Sequence, residues 1–127
     1  MHFPNHLRKP LFYFALGCML FMSLWPRAYV DKNVPKAIQA LDFDIHTAAY
    51  LMFAAAALFA YGNRGRPWRS RVVVWGACTA FGALMEILQE VFPGINRSYQ
   101  LSDMLSNTLG ACAGVLLFLP RFWPRKP

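Results

Sequence analysis

Val72 to Phe92 is a 21-residue run dominated by apolar side chains, and it limits the possible folds more than any other feature. As a helix it would extend ~32 Å, enough to cross a hydrocarbon core of ~30 Å. Three more apolar runs accompany it: Leu11–Trp25, Ile45–Tyr61, and a last one from about Ser102 to Leu119. Apolar residues make up 57% of the chain and charged residues 15%, where a soluble domain carries nearer ~25% charged. A chain of 127 residues cannot hide that much apolar surface in its own core, so the surplus must face lipid. The sequence therefore predicts an all-α, polytopic membrane helical bundle in one domain, 1–127. Its transmembrane helices are expected at about 11–25, 45–61, 72–92 and 102–119.

Arg8 and Lys9 before the first run would also suit a signal peptide. Trp25-Pro26-Arg27-Ala28 lacks the small-x-small pattern of a cleavage site, so the first run is read as a retained helix. In the polar connection 26–44, Val34, Ile38 and Leu41 recur at i, i+4 and i+7, which predicts a short interfacial helix. Gly62-Asn63-Arg64-Gly65-Arg66-Pro67 breaks the second helix, and Pro93-Gly94 ends the third. The Ala54–Ala57 run and Gly110-x-x-x-Gly114 bring small side chains to helix faces, where they permit close packing. Cys18, Cys78 and Cys112 all lie inside apolar runs, and their odd count and wide spacing fit no disulfide framework or zinc motif.

The net charge of +7 does not point to nucleic acid. Its basic residues fall in short clusters between apolar runs, as topology signals do. The amino terminus, the 62–71 loop and the carboxyl tail together hold nine Lys or Arg, against four in 26–44 and 93–102. The positive-inside bias thus predicts cytoplasmic termini, with the 26–44 and 93–102 loops outside. Phe122 and Trp123 beside basic residues fit an interfacial anchor.

That orientation gathers the polar residues at the outer end. His46 opens the second helix, Glu86, Gln89 and Glu90 close the third, Arg97 lies in the next loop, and Asp103 and Asn107 open the fourth. Glu86, Gln89 and Glu90 share one helix face, while Asp103, Asn107, Gly110 and Gly114 form a single stripe. Taken singly, His46 reads as an interfacial histidine, Glu90 and Asp103 as carboxylates that reach water, and the glycines as packing residues. Glu86 resists that reading, because a carboxylate so far inside a membrane helix costs on the order of 1–3 kcal/mol unless partnered or hydrated.

The ordered set Glu86-x-x-Gln89, Phe92-Pro93, Arg97 and Asp103-x-x-x-Asn107-x-x-Gly110-x-x-x-Gly114, with His46-x-x-x-Tyr50 upstream, resembles the VanZ-like family of small bacterial membrane proteins. The resemblance spans roughly residues 42–118. It implies a multi-pass protein of the bacterial plasma membrane; the member that names the family is linked to teicoplanin resistance. One departure stands out: a lysine is expected shortly before the histidine, but the chain reads Asp42-Phe43-Asp44-Ile45-His46. Any role of that lysine is lost here or passes to Lys36 or Arg97.

These residues support three functional expectations. The first is an envelope-related site that binds or chemically alters a lipid-linked or cell-surface glycan precursor. Arg97 would hold an anionic group, with Gln89 and Asn107 as further binding residues. Glu86 or Asp103 would serve as general base, and His46 as acid or base. Glu86, Glu90, Asp103 and His46 could instead hold a divalent metal, although their spacing matches no known ligand motif, and the sequence leaves any cofactor unknown. In the second, the polar network is structural and the protein is a membrane scaffold or accessory subunit, alone or as a homo-oligomer. A small oligomeric transporter is third, with no inverted repeat to support it. Whether a reaction occurs stays open at this level.

Overall fold

The computed structural model describes residues 5–95 and 101–123. All regular structure among them is helical: α1 (Asn5–Leu24), α2 (Arg27–Asn33), α3 (Lys36–Gln39), α4 (Asp42–Tyr61), α5 (Pro67–Val91), α6 (Leu101–Leu117) and a 3-10 turn, Pro120–Phe122. Three helices, α1, α4 and α5, are long and apolar enough to cross a membrane, and α6 is a shorter apolar helix. The four together form a helical membrane bundle. Large apolar side chains such as Phe14, Met52, Leu84 and Leu117 stand exposed on its outside, the arrangement expected where lipid is the solvent.

The helix ends follow local chemistry. Pro67 begins α5 at a position where its missing N–H costs nothing. Leu119, held extended at φ −73°, ψ 138° ahead of Pro120, separates α6 from the last turn. The connection between α1 and α4 differs from the single amphipathic helix predicted by Val34, Ile38 and Leu41. It holds two short helices, broken where Val34 is extended at φ −103°, ψ 125° before Pro35. A proline disfavours helical geometry in the preceding residue, a constraint that side-chain periodicity does not register. Ile38 and Leu41 stay largely exposed.

Helix α4 is the centre of the bundle. Thirty-nine per cent of its apolar stretch is buried, against 11% for α1, so α1 is peripheral and α4 supplies much of the core, including Tyr50, Phe53, Ala54 and Leu58. Contacts also fix the helix directions. Gly110 and Gly114 of α6 meet Thr47 and Leu51 of α4 in the same order, so these two helices run parallel. Ser23 at the end of α1 meets Gln89 near the end of α5, while Arg8 at the start of α1 meets Phe59 near the end of α4. Long helices that follow one another in the chain therefore run in opposite directions.

Both glycines are required by that approach. A Cβ on Gly110 would strike the Thr47 carbonyl, and one on Gly114 the Leu51 carbonyl. Backbone cannot move aside as a side-chain tip can, so the helices would have to part. Gly17 and Gly76, also helical, have nothing within 4 Å of the same position. Gly110→Ala and Gly114→Ala should each cost about 1–3 kcal/mol, read as a lowered unfolding midpoint in detergent, whereas Gly17→Ala and Gly76→Ala should leave it unchanged or raise it.

Candidate functional site

The polar residues meet where α4, α5 and α6 come together at the His46 end of the bundle. Asn107, buried on α6 one turn before Gly110, is brought against α4 by the glycine contact. Its Oδ1 lies 3.1 Å from Nδ1 of the half-buried His46. An amide oxygen can only accept, so Nδ1 of the ring donates the hydrogen of this bond. One turn along α4 from His46, Tyr50 is 2% exposed, and its hydroxyl has no hydrogen-bond partner among the described residues.

Helix α5 closes the cluster from the other side. Gly82 gives it room: a Cβ there would lie 3.2 Å from the Tyr50 hydroxyl oxygen and 3.3 Å from Asn107 Nδ2. Glu86 follows one turn later on the same face and is 1% exposed. Burial this deep removes most of a carboxylate's hydration, a cost accepted only where polar groups or a ligand compensate. Gln89, three residues further and also buried, donates from Nε2 to the Ser23 carbonyl at 2.6 Å. Its amide thus ties the end of α1 to α5. Glu90 is exposed.

Asp103 is half-buried in the first turn of α6, where a carboxylate interacts favourably with the helix dipole. Its carbonyl accepts from Ser106 Oγ at 2.9 Å. Arg97 lies outside the described residues. Among the described residues no three His, Cys, Asp or Glu side chains group closely enough to hold a metal ion.

A cavity of about 450 Å³ adjoins this cluster, within the range of ~300–1,000 Å³ usual for small-molecule sites. Met19 and Met22 of α1, Val34 and Ile38 of the connecting segment, and His46 and Tyr50 of α4 all line it. The wall is mainly apolar, and its polar members include the two residues that reach into the buried cluster. Such a cavity accommodates an apolar group while presenting an imidazole to whatever is attached to it.

A family model described as VanZ/LLP1 matches residues 2–123. The chain belongs to the VanZ/LLP1 family. No curated protein and no solved structure matches it. In this VanZ/LLP1 chain the structure brings His46, Glu86, Gln89 and Asn107 into one region and puts Asp103 one turn from Asn107. Tyr50, Gly82 and Ser23 were absent from the site residues chosen by sequence. Two of them carried a signal: His46-x-x-x-Tyr50 and Gly82-x-x-x-Glu86 are both one-turn spacings. Ser23 carried none, because it participates through its backbone carbonyl.

Gln89→Leu should remove the tie between α1 and α5 and leave the Ser23 carbonyl without that donor. A loss of about 1–3 kcal/mol is expected, measured as a lowered unfolding midpoint in detergent.

Proposed function

We propose that this protein is a multi-pass protein of the bacterial plasma membrane whose polar site faces outward and serves the cell envelope by binding, or chemically altering, a lipid-linked or cell-surface glycan precursor. The observation that carries this reading is the continuity between the cavity and the buried cluster through His46 and Tyr50. An amphiphile needs both halves of such a site: an apolar wall for its chain and polar groups for the linkage behind it. The count of nine basic residues against four supports the outward orientation. Glu86 and Asp103 are the candidate bases, His46 the candidate acid or base, and Arg97 the candidate anion holder. Gln89 and Asn107 position their neighbours through the bonds they make.

A second reading is favoured by those same bonds. The Gln89 and Asn107 amides are engaged with Ser23 and His46, as in a scaffold or accessory subunit whose polar network fixes helix register. The two readings separate on the relation between abundance and phenotype. In a host where deletion of the protein alters sensitivity to teicoplanin or another envelope challenge, Glu86→Gln, Arg97→Ala and Asp103→Ala should each abolish that effect at unchanged membrane abundance. Full effect in all three variants overturns the site. A loss of effect in proportion to abundance favours the scaffold.

A further inference from the structure

The end of the bundle opposite His46 holds a second concentration of chemistry that the proposed function does not use. All six acidic residues of the chain, Asp31, Asp42, Asp44, Glu86, Glu90 and Asp103, belong to α5's last turns, to α6's first turn or to the 26–44 connection and its junction with α4. At the opposite end Arg8, Arg64 and Arg71 are partnered by backbone carbonyls. Arg8 is 8% exposed, donates from Nη1 to the Phe59 carbonyl at 3.1 Å and the Phe122 carbonyl at 2.7 Å, and lies 4.5 Å from the Phe59 ring centroid. Arg64 donates from Nε to the Pro120 carbonyl at 2.9 Å, and Arg71 from Nε to the Val115 carbonyl at 2.8 Å. Arg71 also lies 5.6 Å from the ring of Trp123, which is 1% exposed.

This packing settles where the charges sit without neutralising them. The carbonyls of Phe59 and Val115 belong to the last turns of α4 and α6, and a helix C-terminus contributes only about −0.5 of a charge. Three whole positive charges therefore meet partial ones. A guanidinium has five N–H donors, and the remaining N–H groups of the half-buried Arg64 and Arg71 have no protein acceptor among the described residues. A phosphate supplies what is missing: a full negative charge and several acceptor oxygens in a geometry the guanidinium fork matches. Tyr61 and Trp68, both exposed at this end of the bundle, are the aromatic types enriched where lipid headgroups meet the hydrocarbon.

We propose that Arg64 and Arg71, set against the Pro120–Trp123 turn, form a site for the phosphate headgroup of an anionic phospholipid of the leaflet at this end of the bundle. The site is independent of the glycan-precursor reading, involves no residue of the His46 cluster, and stands or falls separately from it. Anionic lipid is the occupant because charge complementarity selects it over a zwitterionic headgroup, whose ammonium the arginines repel.

The test is retention of lipid by the full chain. Reconstituted with equal amounts of phosphatidylglycerol and phosphatidylcholine, extracted in mild detergent and weighed by native mass spectrometry, the wild-type chain should retain phosphatidylglycerol in clear excess. Arg64→Gln and Arg71→Gln should each reduce that excess by about fivefold. Arg66→Gln with Arg69→Gln, which alters two exposed arginines, should leave it in place. Equal retention of the two lipids by the wild-type chain overturns the proposal. An equal loss in the Arg66/Arg69 variant also overturns it, by showing a diffuse surface charge, and so does displacement of the lipid by millimolar inorganic phosphate. Because Arg64 and Arg71 also hold backbone carbonyls, phosphatidylglycerol with a photoreactive headgroup tests the wild-type chain without substitution. Labelling within 62–71 and 115–123 is expected, and labelling confined to other segments contradicts the site.

Discussion

Helices α4 and α6 lie so close that the backbone of one occupies the space a side chain would need on the other. In a bilayer no hydrophobic force drives helices together, since lipid tails are as apolar as leucine. Association depends on close packing and on polar groups that find each other. Here the two sources coincide. The stripe that begins with Asp103 and Asn107 continues as Gly110 and Gly114, so the contact that packs α6 onto Thr47 and Leu51 also sets Asn107 beside His46. Widening that contact by an ångström would stretch the 3.1 Å His46–Asn107 bond and loosen the enclosure around Tyr50. Gly82 plays the corresponding part on α5, admitting the Tyr50 hydroxyl and the Asn107 amide where a larger residue would push them away.

The bundle was legible in the sequence because its cause, an excess of apolar surface in runs of membrane-crossing length, is written in composition. The meeting of Glu86, Gln89, Asn107 and His46 was legible because one-turn spacings place residues on shared faces, and a turn between neighbouring helices matches their depths. What escaped was whatever depended on backbone or on the third dimension. Pro35 split the connecting segment that periodicity joined. Ser23 enters through a carbonyl that any residue possesses. The cavity is a property of how α1, the connecting segment and α4 stand relative to one another, and no spacing within one segment encodes it. The engagement of Gln89 with Ser23 was hidden for the same reason.

The two ends of the molecule carry opposite chemistry. Acidic and amide groups, one imidazole and an apolar cavity occupy one end; at the other, Arg8 ties the final turn to α1 and α4, Arg64 ties it to the 62–66 loop, and Arg71 ties α5 to α6. Gly62 belongs to the second end, where a Cβ would come within 2.8 Å of the Trp123 ring. For the exposed charges this segregation costs little, because they lie near helix ends where water or headgroups are close, whereas the buried Glu86 and Arg8 depend on polar partners. It also gives the bundle a direction, which the account of an outward-facing site requires.

That direction is measured by cysteine labelling in intact cells. Cys18, Cys78 and Cys112 would be replaced by serine or alanine, and single cysteines placed at the exposed positions Asp44, Ser102 and Gly65. A membrane-impermeant maleimide should label the cysteines at 44 and 102 from outside, and the one at 65 only after permeabilisation. Labelling at 65 in intact cells with 44 and 102 protected would reverse the orientation, and labelling of all three would contradict the spanning bundle itself.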